Sequence, residues 1–199
     1  MNEALTGKLD LFQENLTLFN KEFKNEDSQL RKTGALYYTF NEAKMNPEDI
    51  KKSLEIIRGK YKFTSPFRGS IKNILTFKFI DREFNDEYLK RIEEIYTKIT
   101  VKWKSSEYKA LITLLMIEEK VDNIDQIIER TDALYNDMKA NHKGVTSDND
   151  YLMAFLLALL NGDVNSITEE VEKAYAQIKP NIKNSDVVQY LSQDRKSVV

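Results

Sequence analysis

The sequence predicts an all-α fold, specifically a right-handed α-solenoid of about four helical hairpins behind an N-terminal capping helix. Apolar residues recur at steps of three and four along most of the chain, which is the spacing of one face of an α-helix. Only three prolines and six glycines interrupt its 199 residues, so long helices meet few breaks. Aromatic residues open apolar segments at Phe67, Tyr108 and Tyr151, 41 and 43 residues apart, a period typical of stacked helix pairs.

Residues 1–25 are predicted to form the capping helix. Its apolar stripe advances in alternating steps of four and three residues: Leu5, Leu9, Phe12, Leu16, Phe19 and Phe23. A short coiled-coil strand would show a similar stripe. Additional apolar residues at Leu11 and Leu18 fit a helix packed against a bundle better, because they widen the apolar face.

The first hairpin is predicted over residues 28–64. The inner face of its first helix is expected to carry three apolar residues: Leu30, Tyr37 and Phe40. The second helix has clear boundary residues, with Asn46 as N-cap, Pro47 at the first helical position and Gly59 at its exit.

The second and third hairpins are predicted over residues 65–104 and 105–146. Ser65 is expected to cap a helix that Pro66 begins, followed by a buried stripe of four residues: Phe67, Ile71, Ile74 and Leu75. In the third hairpin, Asn123 with Gln126 resembles a capping box at the start of the return helix.

The fourth hairpin is predicted over residues 147–184. Its first helix, Tyr151 to Leu160, is apolar almost all round and should be buried between neighbours. Ser166 with Glu169 is expected to cap the return helix, which Pro180 ends. Residues 185–199 resemble a partial fifth repeat without a return helix, so either the chain is truncated there or the tail from Ser192 to Val199 covers the last repeat.

Four aromatic residues are placed by this repeat pattern. Tyr96, Tyr135 and Tyr175 recur at the same place on the return helices and are expected to pack between hairpins, with a binding surface as the alternative. Trp103 lies in a connector, where it is either a half-buried staple or an exposed anchor.

Composition excludes several classes of function. With 41% apolar and 31% charged residues the chain can bury a core, and its formal charge of −2 disfavours nucleic acid as a partner. No apolar run is long enough to span a membrane and the start does not resemble a signal peptide, so we expect a cytoplasmic protein without membrane insertion. The absence of cysteine excludes disulfides and thiolate metal sites.

Catalytic motifs are absent from the sequence. It contains no Gly-rich phosphate loop, no Gly-x-Ser-x-Gly elbow and no His-Glu-x-x-His pair, and we expect no cofactor, no metal and no catalytic residue. His142 is the only histidine and follows a helix end, where a capping or loop role is favoured over ligand contact. Asp148 and Asp150 lack the spacing of a calcium loop and are expected to cap the Tyr151 helix.

One arrangement gives a candidate site. If the hairpins stack in register, the starts of their first helices form a shared edge with these polar residues: Arg68, Ser105, Ser106, Glu107, Asp148, Asp150, Ser185 and Asp186. Helix starts carry free backbone amides, so this edge could bind an acidic side chain or another anion. The candidate ligand-binding residues are Arg68, Glu107, His142, Asp148 and Asp150. The simpler interpretation is that each polar residue caps its own helix.

The chain resembles a bacterial family known as domain of unknown function 4003. The resemblance rests on three segments and covers most of the chain: Phe67-Arg68-Gly69, Ser105-Ser106-Glu107-Tyr108, and His142 to Tyr151. It implies an intracellular, all-helical protein and no particular activity. The chain ends earlier than is usual for the family, within the next hairpin.

The favoured function is a non-enzymatic protein-interaction scaffold, an inference from architecture alone. A small-molecule or enzymatic site at the helix-start edge is one alternative, and it requires His142, Asp148, Asp150 and Arg68 to converge on one enclosed pocket. An oligomerisation module is the other. Incomplete cover over the fourth hairpin favours self-association through residues 151–191.

Overall fold

The computed structural model describes residues 3–104 and 106–197, with the side chains of 5–104 and 106–193 among them. The described chain is 76% helical and contains ten α-helices and no strand, which confirms the all-α class. The helices are α1 Glu3–Glu22, α2 Ser28–Phe40, α3 Pro47–Lys60, α4 Ile71–Asp81, α5 Asp86–Lys102, α6 Glu107–Glu118, α7 Ile124–Asn141, α8 Asp150–Ala158, α9 Val164–Ile178 and α10 Ser185–Ser197. Short 3-10 turns occupy Pro66–Arg68 and Lys179–Asn181.

The chain divides into two compact units, Met1–Leu89 (unit 1) and Lys90–Val199 (unit 2). The division falls within α5. Each unit has a hydrophobic core of its own.

Unit 1 is built on the contact between α1 and α2. Phe19 of α1 is fully buried, and its ring lies directly against Gly34 of α2, where an added Cβ would come within 2.2 Å of a ring carbon. The missing side chain therefore lets the two helices approach closely. The other buried core residues of this unit include Phe23, Leu30, Ala35, Tyr38, Met45, Ile50, Leu54 and Phe77.

Two predicted core residues at the start of α1 are exposed. Leu5 and Leu9 were expected in the buried stripe, yet both are about half exposed. Buried Asn15, further along α1, bonds to the backbone of Ala43 and Met45, just beyond the end of α2. Leu5 and Leu9 precede Asn15 along α1 and consequently extend past the end of α2, where none of the described helices covers them.

The buried register of α2 also differs from the prediction. Leu30 is buried, but Phe40 is 75% exposed and Tyr38 takes its place in the core. The buried stripe steps from position 30 through Gly34 to Tyr38. Because a glycine carries no apolar side chain, this register was not visible in the sequence pattern.

The helix boundaries of unit 1 are mostly as predicted. Asn46 caps α3 by accepting a bond from the Glu48 amide, and Pro47 is its first residue. Ser65 caps only the short 3-10 turn, because α4 begins later, at Ile71. Ile74, predicted to be buried, is on the exposed side of α4.

Unit 2 contains α6 to α10 and most of α5. Helix α7 packs on α8 and α9 on α10, while α8 also contacts both α6 and α10. One core cluster joins α5 to α8 through Ile95, Ile99, Trp103, Ile112, Met116, Ile124, Ile128 and Phe155. A second joins α7 to α9 through Leu134, Tyr135, Met138, Ala154, Leu157, Ala158, Ile167 and Val171. Every residue from 151 to 160 is buried or half-buried, as expected for a helix that is apolar all round.

Two capping predictions in unit 2 have opposite outcomes. Asn123 caps α7 by accepting a bond from the Gln126 amide at 3.2 Å, which confirms Asn123 as the N-cap. The return bond differs from that of a capping box, because Oε1 of Gln126 accepts from Nδ2 of the Asn123 side chain at 3.0 Å. Ser166 does not cap α9, since Asp163 is the N-cap and accepts a bond from the Ser166 amide at 2.9 Å. The N-cap of α9 is thus three residues earlier than predicted, because Asp163 reaches the free amides first.

The repeated tyrosines are not equivalent. Tyr135 and Tyr175 are buried, whereas Tyr96 is half-buried and its neighbour Ile95 occupies the core. Trp103 is buried, so it is not an exposed anchor.

None of the described helices is both long enough and apolar enough to cross a membrane.

Candidate functional site

The most unusual polar residue of unit 2 is Lys109 near the start of α6. It is fully buried, and its ammonium group donates a hydrogen bond to Oδ1 of Asp148, whose side chain is half exposed. The same Nζ lies 4.2 Å from the centre of the Tyr151 ring. A buried ammonium group needs such partners, because the loss of water around it is costly.

An aromatic stack supports this ion pair. The rings of Tyr151 and Tyr135 are nearly parallel with centroids 3.7 Å apart, and Trp103 lies 4.7 Å from Tyr151 on α8. Trp103 donates from Nε1 to Oδ1 of Asp132 at 3.0 Å. Burial, together with the nearby Asp132 carboxylate, raises the pKa of Tyr151 well above its usual value, so its hydroxyl stays protonated.

Asp150, the first residue of α8, organises the loop before the helix. Its Oδ2 accepts bonds from the amide and the hydroxyl of Ser147, at 2.6 and 3.3 Å. Its Oδ1 accepts a bond from Nε2 of Gln189 on α10 at 3.0 Å. Asp150 therefore holds the loop before α8 and joins α8 to α10. It does not cap the helix as predicted, because the N-cap position is Asn149, whose side chain makes no capping bond.

A cavity of about 330 Å³ lies beside this network. Its lining comes from the loop before α8 and from the first turns of α10: Gly144, Val145, Ser147, Asn149, Asp150, Asp186, Gln189 and Tyr190. The lining contains two carboxylates and no lysine or arginine. Burial, with the nearby Asp150 carboxylate, raises the pKa of Tyr190, so its hydroxyl is neutral at physiological pH.

His142 lies at the C-terminal end of α7 and caps it through its backbone amide, which donates to the Met138 carbonyl at 2.9 Å. Its Nε2 is 2.8 Å from Oε1 of Glu172, and its ring centre is 4.1 Å from that of Tyr175. The side chain is thus held between α7 and α9.

The two remaining candidate residues take no part in this cavity. Arg68 belongs to unit 1, where its Nη1 donates to the carbonyls of Arg58 and Tyr61 at 3.0 and 3.1 Å. Glu107 is exposed in the first turn of α6.

Of the five candidate ligand-binding residues, only Asp150 lines the cavity, where it is joined by Asp186 of the predicted helix-start edge. Asp148 does not cap α8, because its carboxylate is taken by Lys109 instead. Sequence reasoning missed Lys109 and Gln189. Lys109 could have been found, since it precedes Ile112 and Thr113 by three and four residues and so shares their buried face.

A second cavity, of about 460 Å³, lies in unit 1 between the end of α1 and α3. Its lining mixes basic and acidic side chains that already pair with each other, among them Lys51 with Glu22 and Arg58 with Glu26. Its four basic and three acidic side chains nearly balance in charge.

Among the described residues, no group of three or more histidine, aspartate or glutamate side chains is placed to hold a metal ion. The fold and the site define an all-helical protein with a polar, acid-lined cavity in unit 2. A family model described as a protein of unknown function (DUF4003) matches residues 15–195, so the chain belongs to that family. This finding confirms the resemblance seen in the sequence. No curated protein and no solved structure matches the chain.

Proposed function

We propose that the chain is a non-enzymatic protein-interaction module whose contact surface is the outer face of α10. The supporting observation is that α10 buries three polar side chains and exposes three apolar ones, so that its polar and apolar faces are largely reversed. Its outward face carries Val187, Tyr190 and Leu191, each at least 40% exposed. Its inward face carries Val188, Gln189, Ser192 and Gln193, all at most 2% exposed.

The reversed faces are costly for a helix that has no partner. Gln193 is fully buried, and neither its Nε2 nor its Oε1 has a hydrogen-bond partner in the described part of the chain. An unsatisfied buried polar group costs about 1–3 kcal/mol. The three exposed apolar side chains contribute no stabilisation from burial, because they remain in contact with water. A partner that covers Val187, Tyr190 and Leu191 would supply the apolar burial that the chain's own packing leaves out.

The polar residues of the candidate site are already paired with other side chains of the protein, which favours binding over catalysis. Asp148 is paired with Lys109, His142 with Glu172, and Asp150 with Ser147 and Gln189. A general acid or base must reach a substrate proton, and each of these groups already has a structural partner.

The proposed partner is a protein segment that presents apolar side chains next to a basic one. Tyr190 belongs both to the outward face of α10 and to the lining of the acidic cavity, so one segment could occupy both. Net charge −2 argues against nucleic acid as the partner. The right-handed solenoid of about four hairpins remains part of this proposal, and its support is the succession of α7 on α8 and α9 on α10 within unit 2.

A peptide selection on the full chain tests the function. Random peptides displayed on phage are selected against the wild type, and their affinities are measured for Leu191→Asp and for Leu9→Asp. These two leucines are a matched pair, because each is the seventh residue of its helix and they are 42% and 46% exposed. We expect Leu191→Asp to weaken binding about tenfold or more, while Leu9→Asp leaves it unchanged.

Two other outcomes are decisive. One is a wild-type dimer in sedimentation that Leu191→Asp converts to monomer. The occupant of α10 would then be a second copy, and the protein an oligomerisation module. Selected peptides that bind all three proteins equally would contradict the proposal, because the outer face of α10 would then contribute nothing.

A further inference from the structure

We propose that the Asn161-Gly162 pair, in the turn between α8 and α9, is a site of covalent modification at which Asn161 loses ammonia and becomes aspartate or isoaspartate. Both residues are exposed. Neither belongs to the outer face of α10, so the inference is independent of the proposed function.

The reaction needs water and no enzyme. The backbone nitrogen of Gly162 loses its proton to a solvent base and attacks Cγ of Asn161, forming a C–N bond that closes a cyclic imide. The bond between Cγ and Nδ2 breaks, and Nδ2 leaves as ammonia. A water molecule then adds to either carbonyl of the ring and opens it. The product is aspartate or isoaspartate, and nothing is oxidised or reduced.

The residue after an asparagine controls how easily the attacking nitrogen reaches the side chain. Glycine leaves this nitrogen unhindered and lets the backbone adopt the geometry of attack, because it has no side chain. Asn161 is the one asparagine of the sequence that precedes glycine, whereas Asn165 and Asn184 precede serine. The sequence therefore singles out Asn161 and provides two comparison sites in the same unit.

Neither reacting group of the pair has a competing contact. Within the described residues, the Gly162 amide donates no hydrogen bond and the Asn161 side chain makes none. A Cβ added at Gly162 would meet no atom within 4 Å, so the turn is open to water at this point. The nitrogen and the side chain are thus free to approach each other.

The two comparison asparagines are also exposed, but each has one reacting group engaged. For Asn165 it is the attacking nitrogen, because the Ser166 amide donates to Oδ1 of Asp163 at 2.9 Å. For Asn184 it is the side chain, whose Oδ1 accepts bonds from two amides in the first turn of α10, at 2.9 and 3.3 Å. A reaction at either site must first break these bonds, which raises its barrier.

The backbone of the turn requires the glycine that makes Asn161 reactive. Gly162 has a φ of +108°, a conformation that residues with a side chain rarely adopt. Position 162 therefore cannot take another residue without strain. The reactive pair is a consequence of how α8 is joined to α9.

The two products act differently on α9. Asp163 is the N-cap of this helix, whose first turn contains no acidic side chain. The aspartate product adds a negative charge near the helix start, where it is favourable. The isoaspartate product runs the chain through the former side-chain carbon and lengthens the backbone by one atom, which displaces Asp163 from the Ser166 amide.

The test stores the full wild-type chain in mildly alkaline buffer and follows the three sites by peptide mass spectrometry. We expect Asn161 to convert about tenfold faster than Asn165 or Asn184, or more, a ratio that corresponds to about 1.4 kcal/mol of activation free energy. Asn161→Gln is the matched control. Glutamine keeps an exposed amide but must close a larger ring, so position 161 should then show no conversion.

The same measurement in urea separates the effect of the contacts from that of the sequence. Unfolding breaks the bonds that engage Asn184 and the Ser166 amide, so Asn165 and Asn184 should convert faster than in the folded chain, while Asn161 changes little. An Asn161 that converts in urea but is stable in the folded chain would overturn the inference, because the turn would then protect the pair. Equal rates at the three asparagines of the folded chain would overturn it as well.

The effect on α9 is measured by hydrogen exchange of the Ser166 amide. The isoaspartate form, separated from the stored protein by chromatography, should exchange about fivefold faster than the wild type, as expected for the loss of an N-cap. Asn161→Asp adds the charge without the extra backbone atom and should exchange no faster than the wild type. Equal exchange in these two forms would contradict the displacement of Asp163.

Discussion

Each unit of the protein contains a lysine paired with a carboxylate, and the two pairs differ in how deeply each partner is buried. In unit 1, Lys72 of α4 and Glu26 are equally buried, with 2.8 Å between Nζ and Oε2. Glu26 also pairs with Arg58, and Lys72 lies 3.8 Å from Asp27. In unit 2, Lys109 is fully buried while Asp148 is half exposed, and each is the other's ion-pair partner.

The difference shows how much each unit depends on a single contact. If one charged residue of the unit 1 cluster is removed, Glu26 or Lys72 still has another residue of opposite charge beside it. In unit 2, Lys109 would keep the ring of Tyr151 as its one remaining partner among the residues that the structure describes. We therefore expect substitutions around Lys109 to have the larger effects.

The largest effect is expected from Tyr135→Ala, which removes the ring stacked on Tyr151. Because Tyr135 is buried, the free energy of unfolding should fall by about 4 kcal/mol. Tyr96→Ala is the matched control at the corresponding place on α5. Its half-buried ring should cost about 1 kcal/mol. Urea unfolding followed by Trp103 fluorescence measures both, and equal costs would show that the stack adds nothing.

Asp148→Ala should be next, with a loss of about 3 kcal/mol, because it leaves the buried Lys109 ammonium without its carboxylate. Lys109→Met should cost less, since the half-exposed Asp148 regains water. Combining Lys109→Met with Asp148→Ala should restore most of the loss. A double variant as unstable as the sum of the single variants, in the same urea experiment, would contradict this account.

The smallest effect is expected from Glu26→Gln, about 1 kcal/mol at neutral pH. Burial opposes ionisation of Glu26, but the ion pairs with Lys72 and Arg58 outweigh it and lower the pKa below its ordinary value of 4.5. A lowered pKa contributes stability above pH 4.5 that is lost as the pH falls through the folded value. Unfolding of unit 1, followed by NMR of Leu30 and Leu54, should therefore depend less on acid in Glu26→Gln. An unchanged acid dependence would show that Glu26 is not the responsible group.

The sequence predicted the fold class and several helix ends because these depend on local chemistry. Asn46 with Pro47 and Asn123 with Gln126 each determine a helix start through bonds within a few residues. The buried stripe of α2 was missed because Gly34 belongs to it without an apolar side chain.

The candidate site was less predictable, because its contacts join residues far apart in sequence. Lys109 meets Asp148, and Gln189 meets Asp150, each 39 residues away. Local spacing assigned Asp148 to its own helix and could not show that a buried lysine competes for it. The sequence pattern also did not show which face of α10 is buried. The outward residues of this helix, Val187, Tyr190 and Leu191, have the spacing of a core stripe.

The contact between Phe19 and Gly34 has a consequence for the evolution of the family. A methyl group at position 34 would overlap the Phe19 ring, so position 34 cannot take a larger residue while α1 stays packed on α2 unless the side chain at position 19 becomes smaller. Relatives that keep a large aromatic side chain at position 19 should keep glycine at position 34. Relatives with a larger residue at position 34 should have a smaller one at position 19, and the two positions should covary.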